Sequence, residues 1–246
     1  MDNRPLRYMT FHRVRFSSAV SGNTTSFSGP PLALHWLFGP QSELGPSGLP
    51  TMVSNVWGGV AFYGDLSEAQ AAFANAPGER HFDRNLVEAW HGLLCPIGCK
   101  GENNWFGAVD GAPRLAPTET DPDPRGLLAV VTTAGYKAMT REELKADLPR
   151  RADFAAYVHR VRDWYATLPG TLALGLFNFM PMGTDGMTFS LWRNDAAMMA
   201  AAFRPGMHRA QLDRYRTEHT ADRTSFMRTR VLNCAGTWEG VSVSVV

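Results

Sequence analysis

The chain has 246 residues, of which 44% are apolar, 11% aromatic and only 19% charged. A composition of that kind excludes extensive disorder, and a folded chain of this length buries roughly 70–75% of its unfolded surface without metal or disulfide staples. The formal net charge is +1, which leaves no global field to attract nucleic-acid backbones or anionic lipid and so excludes a dominant nucleic-acid role.

In chain order, the start MDNRPLRYMTFHRVRF lacks a signal-peptide core, and RYMTFHRVRF (7–16) reads as an apolar strand. Residues 17–55 are rich in Ser, Gly and Pro around the apolar island LALHWLFG (32–39), a pattern expected of a functional cover. An alternating segment, GGVAFYGD, then leads into an Ala-rich helix at 67–76 closed by Pro77-Gly78. His81, a second polar helix, a strand and Trp105 between Gly101 and Gly107 follow. The segment 111–126 holds four of the 16 prolines and reads as a linker. Beyond it the same grammar returns. GLLAVVTTAGY (126–136) is a strand, 152–167 a helix and 171–180 a strand, and then GMTFSLWRND leads into a helix at 195–203 closed by Pro205-Gly206. His208, a polar helix, a strand and Trp238 complete the second copy.

Read as a duplication, the chain is an α+β protein of two tandem ferredoxin-like repeats whose sheets form one α+β barrel of the dimeric α+β barrel type. The halves are 1–110 and 127–246, joined by the linker 111–126. Chance similarity between two amphipathic units is the alternative. No stretch reaches the roughly 20 apolar residues of a spanning helix, and with only three cysteines, Cys95, Cys99 and Cys234, nothing points to an oxidising compartment, so the chain is read as cytoplasmic. The ligand supply is too small for structural zinc.

No dinucleotide-binding glycine motif, Walker loop, zinc-protease motif or nucleophile elbow is present, and the carboxylates sit at helix starts or in the linker. His208 opens the last helix after Pro205-Gly206, with Leu212 and Tyr215 at helical spacing, a placement from which a neutral imidazole can reach between helix and sheet as an axial ligand for haem iron. A capping or surface histidine is the alternative. His81 lies in a charged stretch and reads as surface, His35 and His91 as satisfied core or interface histidines, and Cys95-Pro96 as a minor thiolate candidate. Arg228 and Arg230 share one face of the last strand, where one can meet an anion such as a haem propionate or be exposed to solvent. Phe177, Phe179, Met180, Met182, Met187 and Phe189 offer a soft apolar lining or ordinary core.

At TFSLWRNDAAM (188–198), His208 and Gly236-Thr237-Trp238-Glu239-Gly240, and upstream at Trp36-Leu37-Phe38-Gly39, Glu88-Ala89-Trp90 and Gly101 to Gly107, the chain resembles the spheroidene monooxygenase family of carotenoid biosynthesis. The resemblance implies a dimeric α+β barrel haem protein, a monooxygenase using haem b with iron on His208. It implies that Arg228 acts in the pocket, and that the chain takes a small-molecule substrate, an electron-donor protein and a homodimeric partner. Met187 and Phe189 would line the cofactor. The polar Thr220-Ala221-Asp222 and the long acidic linker depart from the family pattern. A haem-dependent dehydratase or rearrangement enzyme acting on an N–O substrate, like the aldoxime dehydratases, and a non-enzymatic apolar-ligand binding protein are the alternatives.

Overall fold

The computed structural model describes residues 4–20, 33–47, 50–75, 86–101, 108–109, 112–113, 115–137, 139–178 and 185–245. Its strands are β1 (Tyr8–Phe16), β2 (His35–Leu44), β3 (Pro50–Tyr63), β4 (Leu86–Gly101), the two-residue β5 (Ala108–Val109) and β6 (Ala112–Pro113), β7 (Leu128–Gly135), β8 (Thr171–Asn178), β9 (Asp185–Trp192), β10 (Arg223–Trp238) and β11 (Val241–Ser242). The helices are α1 (Leu66–Ala74), α2 (Arg141–Ala166), α3 (Asp195–Phe203) and α4 (Met207–Glu218).

The strand order β10-β4-β1-β3-β2-β8-β9-β7, with β7 returning to β10, closes an eight-stranded antiparallel barrel, and β11 adds to β10 outside the ring. Counted within each half, both arcs have their strands in the order fourth, first, third, second. The arcs meet at β4–β10 and β2–β8, fourth against fourth and second against second. The fold is α+β, a closed barrel made of two like units in one chain.

Period-2 alternation dictates the two faces. An eight-stranded barrel has an interior just wide enough for side chains to fill, and here Met9, Phe11, Val60, Phe62, Trp90, Phe177, Met187, Phe189 and Trp238 fill it. Phe11 of the first half stacks on Phe189 of the second at 3.9 Å between centroids, and Trp238 stacks on Phe189 at 5.6 Å. Such aromatic pairs add about 0.5–1.5 kcal/mol each beyond area burial, so the core belongs to both halves at once. Arg13 is buried at one end of this interior, over the Trp238 ring at 4.8 Å and bonded to Glu88 at 2.8 Å.

The helices lie on the outer face. Asp65 caps α1 by accepting from the Glu68 N–H, Asn194 caps α3 through Ala197, and Thr140 with Glu143 forms a capping box on α2. α2 is 26 residues long, beginning eleven residues before the expected helix at 152–167, because the capping box and Glu142 start it early and Pro149 falls in its interior without ending it. The second polar helix expected in the first half is absent from the described residues there. Residues 86–101 are instead the single strand β4, whose pairing with both β1 and β10 overrides local helix preference. His81, Trp105, Phe179, Met180 and Met182 lie outside the described residues, as does the side chain of His35. Among the described residues no helix is long and apolar enough to cross a membrane.

Three outer-face histidines are buried. His12 and His91 share a 2.8 Å hydrogen bond, and His159 of α2 bonds Ser42 of β2 at 3.1 Å. Burial pushes His12 well below its ordinary value of 6.5, and pushes His91 and His159 down to about 4. Between about pH 6.5 and 4 the unfolded chain therefore binds protons that the folded chain refuses, and stability falls as pH falls through that window. Thermal unfolding followed by circular dichroism should give a midpoint that is level above pH 7 and drops steadily from pH 6.5 to 4.5. A midpoint unchanged across that interval would show that these imidazoles are not held neutral.

Candidate functional site

Because the interior is packed with rings, a ligand on this barrel has to sit on the outer side, between sheet and helices. In the second half that layer is the cluster Leu128, Val130, Trp192, Met198, Ala201 and Ala202, with Tyr165, Leu168, Ile97 and Phe226 packed against it. α3 supplies its small apolar face here, and α4 follows directly after Pro205-Gly206. Gly206 leaves the space that the Trp164 indole fills, where a Cβ would collide. Tyr157 of α2 donates its hydroxyl to the Met207 carbonyl at 3.2 Å and fixes the start of α4.

His208 sits in the first turn of α4, so its imidazole is set by that junction. Its Nδ1–H donates to the Ala202 carbonyl at 2.9 Å, and the Tyr165 ring flanks it at 5.5 Å. A carbonyl only accepts, so Nδ1 carries the hydrogen and Nε2 keeps its lone pair, with no partner among the described residues. Burial lowers the pKa, opposed in part by the Ala202 contact, and the helix start also disfavours the cation. A neutral imidazole with its second nitrogen tied to a carbonyl is the arrangement that metal-binding histidines use.

Gln211, one turn further on α4, was not picked out from the sequence. It is 9% exposed, and neither its carboxamide oxygen nor its nitrogen has a partner among the described residues. Thr220, after the end of α4, is likewise buried with an unpartnered hydroxyl. No periodic signal marks either residue. Gln211 reads as an ordinary polar position until the helix is docked.

The two arginines of β10 part company. Arg230 is buried and bidentate to Asp121 of the linker at 3.0 and 2.5 Å, reaches Asp195 at the start of α3 at 2.8 Å, and donates to the Gly126 carbonyl at 2.7 Å. Its anions are the protein's own carboxylates, and it clamps linker, barrel and helix together. Arg228 shares the outer face with Arg230 and Phe226 but makes no hydrogen bond or ion pair among the described residues; its strand partner is Val130 of the layer beneath α3. Arg228 and His208 thus belong to one layer, separated by that cluster. Met187 and Phe189 do not: they alternate onto the barrel interior, 1% exposed each, with Phe189 stacked on Phe11.

The remaining candidates are placed elsewhere. Cys95 is buried and hydrogen-bonds Thr118 of the linker, and burial pushes its thiol up. All three cysteines are unpaired by disulfide. Among the described residues no three His, Cys, Asp or Glu side chains converge on a metal-binding point, so an iron bound here would rest on one histidine and a macrocycle. Two groups on the layer suit haem: one neutral imidazole with an unpartnered Nε2, and the Arg228 guanidinium, which makes no direct ion pair among the described residues, for a propionate.

Replacing Arg230 by Met should cost about 2–3 kcal/mol of unfolding free energy, since it removes charge-assisted bonds to Asp121 and Asp195. Arg228→Met should cost less than about 1 kcal/mol. Equal losses in the two variants by chemical denaturation would contradict this division of roles.

No protein-family model and no curated protein matches the chain. Among solved structures it is similar to an aldoxime dehydratase, OxdRE, in complex with butyraldoxime, with 9% identity, 94% of this chain and 81% of that chain covered, and a TM-score of 0.52. A second aldoxime dehydratase matches with 11% identity, 94% and 83% coverage and a TM-score of 0.50. SnoaB, a cofactor-independent oxygenase of Streptomyces nogalater, matches 42% of this chain and 89% of its own, with 16% identity and a TM-score of 0.32. What the chain shares with the two dehydratases is the fold: two like α+β units closed into one barrel.

Proposed function

We propose that the chain is a haem-dependent enzyme, a monooxygenase acting on an apolar or small functionalised substrate, with the haem b iron held by His208. The observation that carries the reading is the bond from His208 Nδ1–H to the Ala202 carbonyl, which fixes the tautomer and leaves Nε2 with its lone pair and no partner among the described residues. Bound haem would supply the activation of oxygen. The chain's own residues do the rest. Ala202 and Tyr157 hold the imidazole in place, Tyr165 flanks it, Arg228 offers its guanidinium to a propionate, and the apolar layer under α3 keeps water away. An electron-donor protein and a homodimeric assembly belong to the same reading.

Purified protein loaded with haem should show a Soret band that His208→Ala shifts or abolishes, while Arg228→Ala retains it with weaker haem affinity. An unchanged band in His208→Ala would remove His208 from the site. Protein that stays colourless after haem supplementation would favour a carrier of apolar ligands.

The likeness over 94% of the chain to two aldoxime dehydratases favours a second reading, dehydration of an aldoxime at the same site. Oxygen dependence separates the two. Under the leading reading turnover requires oxygen and an electron donor, whereas conversion of an aliphatic aldoxime to its nitrile under argon would replace oxygenation by dehydration.

A further inference from the structure

The outer sheet face of the first half carries a row of polar side chains beside the apolar layer under α1. Thr10 and His12 are two apart on β1, and His91 stands directly opposite His12 on β4. The row is hydrogen-bonded end to end: Tyr63 Oη with Thr10 Oγ1 at 3.2 Å, Thr10 Oγ1 with His12 Nε2 at 2.7 Å, and His12 Nδ1 with His91 Nδ1 at 2.8 Å. Only one Nδ1 of the histidine pair carries the hydrogen of that last bond, and each hydroxyl both donates and accepts. The row therefore has two self-consistent arrangements. In one, His12 donates to His91 and His91 Nε2 bears a hydrogen; in the other, His91 donates to His12 and its Nε2 is a bare lone pair. That Nε2 has no partner among the described residues and is not among the side-chain atoms sealed from solvent. The outer end of the row is thus able to act as donor or as acceptor.

Beside it lies a pocket of about 550 Å³ between α1 and the sheet, within the usual size range of small-molecule sites. Leu93, two residues beyond His91 on the same face of β4, lines it together with its strand partner Asn233. Phe73, Leu66 and Leu232 supply apolar walls and Gln70 a polar one. Two residues along a strand span about 7 Å, the length of a two-ring molecule. No charged side chain lines the pocket, so an ionic ligand would lose hydration without compensation.

We propose that this pocket and His91 form a second ligand site, for a small, uncharged, mainly apolar molecule bearing one hydroxyl. Its body lies against Leu93, Phe73 and Leu232, and its hydroxyl bonds His91 Nε2. Two features shape the base of the site. The Trp36 ring meets His12 edge-on at 6.0 Å, and Gly59, opposite His12 on β3, admits that indole where any Cβ would collide with it. The hydrogen-bond row lets His91 match a hydroxyl in either sense without taking on charge. The site lies under α1, where β4 meets β10, outside the layer under α3 that His208 faces, and needs no haem.

The test uses the full chain prepared without added haem, titrated with 1-naphthol and with naphthalene. 1-Naphthol should bind about tenfold more tightly than naphthalene, the worth of one neutral hydrogen bond. His91→Phe should abolish that difference while naphthalene binding persists, and Phe73→Glu should weaken both at least tenfold. Equal affinity for the two compounds, no binding of either, or undiminished preference for 1-naphthol in His91→Phe would overturn the proposal. Should His91→Phe fail to fold, the preference of the unmodified protein and the effect of Phe73→Glu decide it.

Discussion

The closure of the barrel by β10 is the constraint on which the rest depends. Its sixteen residues pair with β7 along Arg223 to Arg230 and with β4 along Ser225 to Gly236, so one strand satisfies the edges of both arcs. Without that seam each arc would present unpaired N–H and C=O groups along its fourth strand. The ring core would also be opened, because Phe11 comes from one arc and Phe189 and Trp238 from the other. Register shifts between Arg228 and Thr229 and between Val231 and Asn233 interrupt its pairing with β4, whereas its pairing with β7 runs in unbroken register.

Closure also decides where chemistry is located. An interior filled by stacked rings leaves the outer faces, under the helices, as the places where polar groups and ligands meet. The two halves then use the same face differently. In the second, α4 brings a neutral histidine and β10 an arginine to an apolar layer under α3. In the first, a row of hydroxyls and imidazoles runs across the sheet beside α1. A duplicated unit that keeps its inner face for joint packing is free to diverge on its outer one, and these residues show that divergence.

Much of the architecture was legible in the residues. The recurrence of strand, Ala-rich helix, Pro-Gly and histidine pointed to two like units, and the closed barrel with matching strand orders is what such units build. His208 was legible as a helix-start residue beside apolar spacing, and it does lie against the layer under α3. The site's composition was less legible. Met187 and Phe189 read as pocket lining next to His208, yet on β9 they alternate to the opposite side of the sheet. Alternation put Arg228 and Arg230 on one face and the resemblance singled out Arg228, yet only Arg230 hydrogen-bonds the carboxylates of Asp121 and Asp195, residues 109 and 35 positions away. β4 carried a helical signal at its start that two neighbouring strands overruled.

What the sequence determined by itself was local and periodic: two α+β repeats, the strands and their alternation, the helix caps, a near-neutral surface and a histidine at the start of the last helix. These follow from backbone preferences and from apolar spacing, which need only neighbouring residues. Only the tertiary structure decided which face of each strand became interior, which arginine found anions, and that His12 and His91, 79 positions apart, are joined. The physical reason is register. Partners across strands are set by how the barrel closes, and a shift of one residue would exchange every inner side chain for an outer one.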